Sequence, residues 1–255
     1  DVTHVEGSVD PLRDADIIET ELMLADLESL ERRIQNAVKK ARGNDKEAKE
    51  QLALMERIVP VLEDGNPARM ASIGEDEQAL FKQLQLLTSK PILYVCNVEE
   101  DNAADGNEHA ATVAAMAAEK GAESVIISAK IESEIALMDD PADKAEFLET
   151  MGLSEPGLNK IIRAGYRLLD LLTFFTVGPK EARAWTVTRH ATAPQAAGVI
   201  HTDFQRGFIK AETIAYDDFV GLGGEAAARD AGKLRQEGKD YIAQDGDIFH
   251  FKFNV

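Results

Sequence analysis

ILYVCNVEE, residues 92–100, is the stretch that decides the fold. Its first five residues are apolar and follow Pro91, which is typical of a β-strand that is buried on both faces. The polar residues that begin at Asn97 therefore come directly after that strand. Because ligands of open α/β sheets bind in the loops beyond the carboxyl ends of the strands, residues 97–100 are the first candidate site.

A second apolar run, SVII, occupies residues 124–127, and residues 107–120 between the two runs have a helical pattern that ends at Gly121. A strand, a helix and a strand in this order predict a βαβ unit with a parallel sheet and a right-handed crossover. The two strand ends then lie side by side, so we expect residues 128–130 beside Asn97.

The two strand ends offer groups that suit a purine base. The side-chain amide of Asn97 can donate to ring N7, and Glu100 adds a carboxylate. At the second strand end, Ser128, Ala129 and Lys130 bring small side chains and exposed backbone N–H groups that can read the exocyclic group. The alternative is a structural role, in which Asn97 caps a turn and Ser128 caps a helix.

Upstream of the sheet, the sequence predicts an antiparallel helical hairpin. Apolar residues recur at alternating spacings of three and four from Asp14 to a stop at Gly43, and again from Ala48 to Leu62. Neither helix can bury its apolar stripe alone, so the two are expected to pack together. A capping-box pattern that starts at Ser72, SIGE, predicts a short helix through residue 87.

Downstream of the βαβ unit, helices are predicted over residues 141–151 and 156–172. The remaining residues alternate in polarity at 184–187 and 208–214, with a short helix at 194–199. Apolar runs at 241–243 and 248–253 flank an Asp-Gly pair, which is a strong signal for a β-hairpin. This tail is predicted to form a compact α+β domain.

Charge and cysteine content narrow the class of protein. The 255 residues carry a net charge of -18, which opposes attraction of the whole protein to nucleic acid or to an anionic membrane. The single cysteine, Cys96, excludes a disulfide within the chain and fits a cytoplasmic protein. Apolar runs long enough to span a membrane are missing, and the histidines show no paired spacing for a metal.

Although the chain has a net negative charge, one cluster of basic residues lies at the tip of the predicted hairpin. Its members are candidates for contact with RNA phosphates, the alternative being an ordinary solvated helix surface. They are Lys39, Lys40, Arg42, Lys46 and Lys49.

The pair of motifs at the strand ends resembles the base-recognition elements of translation-factor-class GTPases. Their usual first motif is Asn-Lys-x-Asp, whereas here Val98 replaces the lysine and Glu100 replaces the aspartate. In the standard motif the aspartate accepts hydrogen bonds from guanine N1 and the 2-amino group, and an extra methylene spoils that geometry. The Asn-x-x-Glu form resembles the YchF/Obg-like ATPases, whose preference is ATP over GTP.

The resemblance covers the whole chain, through stretches such as PGLN at 156–159, APQAAG at 193–198, IHTDF at 200–204 and GKDY at 238–241. It implies an α/β protein: a partial P-loop NTPase G domain with a parallel sheet, at residues 1–13 and 89–170. A helical-hairpin insertion at 14–88 interrupts that domain, and a β-grasp TGS domain follows at 171–255.

The phosphate-binding pattern G-x-x-x-x-G-K-[ST] does not occur in the sequence. In the family this loop and the Mg²⁺ ligands would precede residue 1, so the resemblance implies a fragment. It also implies that His4 matches a histidine proposed to orient the attacking water, a role that a neutral imidazole can fill.

Two functions follow from the resemblance. The first is a ribosome-associated P-loop NTPase that binds and hydrolyses ATP, with GTP weaker. The alternative is a non-catalytic module that docks on the ribosome or RNA through the hairpin and the TGS domain. A sheet without its first strands would expose an edge, so we also expect poor solubility or dimerisation, with the oligomeric state left open.

Overall fold

The computed structural model describes residues 9–43 and 45–254 of the chain. Two compact units are present, Asp1–Ala164 and Gly165–Val255. The first contains helices α1 (Pro11–Arg42), α2 (Lys46–Glu63), α3 (Gln78–Gln83), α4 (Glu108–Glu119), α5 (Ala129–Leu137) and α6 (Pro141–Thr150), with strands β1 (Leu93–Asn97) and β2 (Glu123–Ile127). Helix α7 (Gly157–Leu168) begins in the first unit and ends in the second.

The antiparallel hairpin of α1 and α2 is confirmed. Asp10 caps α1 by accepting from Arg13 N at 3.1 Å, and Asp45 caps α2 by accepting from Ala48 N at 3.1 Å. Such caps satisfy backbone N–H groups that have no partner inside the helix. The apolar stripes of the two helices form one core, whose fully buried members are Leu30, Leu54, Met55 and Ile58.

The short helix after the hairpin differs from its prediction. Ser72 does not cap it; Glu77 instead accepts from the backbone N–H of Gly74 at 3.1 Å, and the helical turn begins after that glycine. Helix α3 ends at Gln83, and Gln85 has a φ of 52°. This early end lets the following residues turn inward, where Leu86 is buried in the hairpin core.

The βαβ unit is confirmed, because β1 and β2 pair in parallel from Leu93↔Glu123 to Asn97↔Ile127. Asn107 caps the crossover helix α4 by accepting from Ala110 N at 2.9 Å. The expectation that β1 is buried on both faces is wrong, since Val95 is 45% exposed. Among the described residues the sheet has only these two strands, so β1 lacks the neighbours that would cover it.

The sequence pattern gave α5 no bounds, with a helix at Ser128 only as the structural alternative, and it extended α7 too far. Helix α5 follows β2 directly, and α7 ends at Leu168 rather than at 172. Asp170 has a φ of 52° and turns the chain, so Leu171 and Leu172 begin a strand instead of ending a helix. Apolar residues at a strand start were indistinguishable from a continued helical stripe.

The second unit is a five-stranded mixed sheet with helices, as the β-grasp prediction requires. Its elements are β3 (Leu171–Val177), β4 (Ala182–Thr188), α8 (Ala193–Ile200), α9 (Thr202–Arg206), β5 (Phe208–Ala215), α10 (Tyr216–Leu222), α11 (Glu225–Asp230), β6 (Arg235–Glu237) and β7 (Asp247–Phe253). The strand order is β4-β3-β7-β5-β6, with β3 and β7 parallel and the other pairs antiparallel. Its core includes Phe174, Phe249 and Phe251.

The prediction of a β-hairpin around Asp245 and Gly246 is wrong. Ile242 instead bridges Thr192, while β7 pairs with β5 and β3. The reason is the buried carboxylate of Asp247, which accepts from the Tyr241 hydroxyl at 2.8 Å and from Gln244 N at 2.9 Å. These bonds fold the segment before β7 onto itself. Within the described residues, no helix is both long and apolar enough to cross a membrane.

Candidate functional site

Asn97 and the segment that follows β2 are joined by a direct hydrogen bond. Asn97 lies opposite Ile127 at the last paired position of the sheet, and its Oδ1 accepts from Ala129 N at 2.9 Å. Both residues are exposed to solvent. With Oδ1 turned towards the second strand end, the Nδ2 group of Asn97 is left as the donor on the open side. The Ala129 N–H, expected to read a base, is instead bonded to Asn97.

Val98 continues the pairing beyond the end of β1. Its backbone N donates to Ile127 O at 2.9 Å, and only 8% of the residue is exposed. A valine at this position therefore acts as a packing residue that holds Asn97 at the sheet edge. It offers no polar side-chain group to a ligand.

Ser128 is buried at the start of α5 without making a cap. Only 3% of the residue is exposed, and within the described residues its Oγ has no hydrogen-bond partner. The structural alternative, in which Ser128 caps the helix, is therefore wrong for its side chain. A buried hydroxyl without a partner costs about 1–3 kcal/mol, and such groups in native structures call for a specific explanation.

Glu100 and Lys130 connect the two strand ends a second time. Glu100 begins a short helical turn after β1, Lys130 is the second residue of α5, and the ammonium of Lys130 donates to Glu100 Oε2. The Glu100 side chain is 28% exposed and that of Lys130 is 64% exposed. Its hydrogen bond to Glu100 raises the pKa of the Lys130 ammonium. The motif carboxylate is thus paired within the chain.

Glu132 of α5 connects the segment after β2 to the start of α7. Its carboxylate accepts from Gly157 N at 2.6 Å and from Leu158 N at 3.1 Å, at the start of α7. A Cβ on Gly157 would lie 2.8 Å from Ile127 Cγ2, so only glycine lets the helix approach β2 this closely. This contact could not be predicted from the sequence, since residues 25 positions apart give no periodic signal.

A cleft of about 340 Å³ opens beside Asn97 on the β1 side. Its walls include two residues that sequence analysis did not single out for this site, Asn107 and His109, which begin the crossover helix. The other walls are mostly apolar. The lining residues are Val9, Pro11, Asp14, Tyr94, Val95, Cys96, Asn97, Val98, Asn107, His109, Ala110 and Val113. Burial raises the pKa of the Cys96 thiol, so it is protonated at neutral pH.

The remaining site predictions fall elsewhere. His4 lies outside the described residues. Residues 9–43 and 45–254 contain no group of three or more His, Cys, Asp or Glu side chains placed to hold a metal. The basic tip residues Lys39, Lys40, Arg42, Lys46 and Lys49 are all exposed where α1 ends and α2 begins. Of these, Lys46 pairs with Glu50 at 3.6 Å.

Comparison with known proteins finds similarity along the whole chain. Residues 171–254 match the family YchF-GTPase_C, described as a protein of unknown function (DUF933). The chain is 54% identical over 255 residues to the ribosome-binding ATPase YchF of Haemophilus influenzae, covering 100% of this chain and 70% of that relative. It is 42% identical over 257 residues to Obg-like ATPase 1 of Oryza sativa subsp. japonica, covering 100% of this chain and 65% of that protein.

Structural similarity agrees with the sequence matches. The solved YchF GTPase of Schizosaccharomyces pombe superposes with a TM-score of 0.84 at 34% identity, covering 99% of this chain and 68% of that one. The match therefore includes the hairpin, the βαβ unit with Asn97 and Ser128, and the β-grasp unit. Identity above half over the full chain, with the same fold throughout, establishes common descent. The chain belongs to the YchF/Obg-like ATPase family.

Proposed function

We propose that this chain supplies the base-recognition half of a P-loop NTPase that binds and hydrolyses ATP and associates with ribosomes. The observation that carries the proposal is the hydrogen bond between Asn97 Oδ1 and Ala129 N, 2.9 Å. It orients the side-chain amide so that Nδ2 can donate to purine N7. The bacterial relatives are named ribosome-binding ATPases, which supports the same activity.

The names of the relatives mention both ATPase and GTPase, so the preference for ATP rests on the residues at the base site. Adenine and guanine both have an N7 acceptor, so Asn97 contributes affinity for a purine without selecting between ATP and GTP. Selection depends on the Watson–Crick edge, where guanine has two donors and adenine has none at the same positions. Glu100, one methylene longer than aspartate, is placed badly for a bidentate bond to guanine.

Catalysis needs parts that this chain does not contain. Phosphate and Mg²⁺ contacts provide most of the rate enhancement in phosphoryl transfer. We assign these contacts, with the Mg²⁺ ligands, to a segment preceding residue 1, within the part of the relatives that this chain does not span. In the longer protein His4 orients the attacking water, and Mg²⁺ neutralises charge that develops on the phosphates.

Calorimetry with ATP and GTP in the presence of Mg²⁺ tests the proposal. We would measure this chain and a version extended by the remaining part of the Haemophilus influenzae relative. The extended version should bind ATP more tightly than GTP, and Asn97→Ala should weaken both at least about tenfold, as expected for a lost hydrogen bond that leaves polar groups unpaired. Asn36→Ala, at an exposed asparagine of the hairpin, is the matched control. Equal affinity in the two asparagine variants would refute the assignment of Asn97.

A second function, docking to RNA through the hairpin, is favoured by one observation: all five basic tip residues are exposed at the same end of the α1–α2 hairpin. Phosphate contacts make RNA affinity fall with salt. Lys39→Glu with Lys40→Glu should weaken binding to ribosomes and flatten this salt dependence. Lys82→Glu with Lys90→Glu, exposed elsewhere in the same unit, controls for the change in net charge. An unchanged salt slope in the tip variant would exclude this contact.

A further inference from the structure

We propose that Lys130 determines the choice of purine by holding the Glu100 carboxylate, so that guanine finds no free acceptor for its donors. The inference rests on the proposed function, since it assumes that a purine binds between the two strand ends. It assigns to Lys130 a specificity-determining role that goes beyond the general affinity for a nucleotide.

The geometry places this ion pair at the same edge as the base-recognition amide. Asn97 and Glu100 come from the end of β1, while Ala129 and Lys130 come from the end of β2. Two cross-connections therefore run in parallel: the amide of Asn97 bonds Ala129 N, and the ammonium of Lys130 bonds Glu100 Oε2. Both connections join the chain at the end of β1 to the first residues of α5. A base held by Asn97 consequently meets the ion pair instead of an isolated carboxylate.

The two purines respond in opposite ways to a free carboxylate. Guanine presents N1–H and a 2-amino group, both donors, whereas adenine presents the N1 lone pair, an acceptor. Although the longer Glu100 side chain is placed badly for a bidentate bond, its free carboxylate could accept one hydrogen bond from guanine, and it would repel the adenine lone pair. Pairing with an ammonium weakens both effects. The ammonium neutralises the negative charge of the carboxylate, and its hydrogen bond occupies one of the carboxylate lone pairs. The ammonium has three N–H donors, so the bond to Glu100 leaves donors that could serve adenine N1.

The Glu100 carboxylate already has a partner within the chain. Its Oε2 accepts from the ammonium of Lys130, and the Glu100 side chain is 28% exposed. Ser128, which lies between Ala129 and the end of β2, has a buried hydroxyl without a partner in the described residues. The carboxylate that could accept from a ligand is therefore a group that is paired within the chain.

Removal of the ammonium tests this role directly. In the extended version and in this chain, Lys130→Met frees the carboxylate, and the ratio of GTP to ATP affinity should rise about tenfold, the scale of one charge-assisted hydrogen bond. Lys130→Arg keeps a cation against Glu100 and should keep the wild-type ratio. Lys82→Met, an exposed lysine on α3, is the matched control.

A double variant separates a specificity effect from a general loss of affinity. Glu100→Gln combined with Lys130→Met removes the free charge, and the gain in GTP affinity should disappear. If the wild type prefers ATP but Lys130→Met leaves the ratio unchanged, the role of Lys130 is wrong and the proposed function stands. If the wild-type extended version binds neither nucleotide, the proposed function fails and this inference fails with it.

Discussion

Asp26 shows how a single side chain fixes the base of the helical hairpin. It lies in the middle of α1, only 2% exposed, and accepts from Leu87 N at 2.7 Å, Thr88 N at 2.8 Å and Thr88 Oγ1 at 2.7 Å. Thr88 Oγ1 in turn accepts from Ala68 N at 2.9 Å. These bonds hold the chain that leaves the hairpin against the helix that enters it.

Replacement of Asp26 should therefore destabilise the first unit. In Asp26→Ala the backbone N–H groups of Leu87 and Thr88 lose their acceptor, and we expect the free energy of unfolding to fall by about 2–3 kcal/mol. Urea unfolding followed by far-UV circular dichroism measures this loss. Asp16→Ala, at an exposed aspartate of the same helix, should change the stability by less than about 0.5 kcal/mol. Equal losses in both variants would contradict the role of Asp26.

Replacing two glycines of the second unit by alanine should change its stability in opposite directions. A Cβ on Gly207 would lie 2.1 Å from the backbone oxygen of Asn254, whereas one on Gly221 meets no heavy atom within 4 Å. Gly207→Ala should cost about 1–3 kcal/mol through overpacking against backbone. Gly221→Ala, in helix α10, should stabilise by up to about 1 kcal/mol. Fluorescence of Trp185, the single tryptophan, reports the unfolding of this unit in both variants.

At the scale of elements, Glu19 joins three parts of the first unit. Its carboxylate, on α1, accepts from the hydroxyl of Tyr94 on β1 and from Lys120 Nζ, just beyond α4, at 2.5 Å. Burial alone would raise the pKa of Glu19, but the hydrogen bonds from Lys120 and Tyr94 outweigh it, so the pKa lies below its ordinary value of 4.5. Burial and this carboxylate raise the pKa of Tyr94.

The lowered pKa of Glu19 has a defined consequence for stability. The folded state favours the charged form, so the contribution is fully present above pH 4.5 and is lost as the pH falls through the folded pKa. Denaturant unfolding at a series of acidic pH values should show wild-type stability falling more steeply than that of Glu19→Gln. Glu31→Gln, exposed on the same helix, should keep the wild-type slope. A parallel pair of curves for wild type and Glu19→Gln would contradict this linkage.

At the scale of the whole molecule, net charge and exposed apolar surface oppose each other. Residues 1–164 contain 17 Lys and Arg side chains and 34 Asp and Glu side chains. Residues 165–255 contain 11 Lys and Arg side chains and 12 Asp and Glu side chains. Nearly all of the net negative charge thus belongs to the unit that contains the half-exposed strand β1. Repulsion between copies weakens as salt screens it, whereas the exposed strand edge does not change.

Self-association of this chain should therefore increase with salt and concentration. Sedimentation velocity under reducing conditions measures it, and Val95→Lys on β1 should reduce it, because a charge on an exposed strand discourages edge pairing. Val199→Lys, at a similarly exposed valine of α8, adds the same charge and should leave association unchanged. A monodisperse monomer at high concentration and high salt would overturn the expectation.

Local patterns sufficed where one physical rule dominates. The alternating apolar spacing of residues 14–62 predicted a helical hairpin, and two apolar runs separated by a helical pattern predicted a parallel βαβ unit. The motif residues Asn97, Glu100 and Ser128 could be placed at one sheet edge for the same reason. The sequence by itself therefore determined the fold class and the neighbourhood of the candidate site, and the resemblance of its motifs indicated the family.

Contacts between distant residues decided the rest. Three features have no local signature, since they depend on side-chain directions after the strands have paired. They are the bond from Ala129 to Asn97, the pairing of Lys130 with Glu100 and, within the described residues, the lack of a partner for the Ser128 hydroxyl. The same holds for the turn before β7, where hydrogen bonds to the carboxylate of Asp247 replace the predicted hairpin. Periodicity reports which face of an element is apolar, but only the packed structure determines which polar groups find one another.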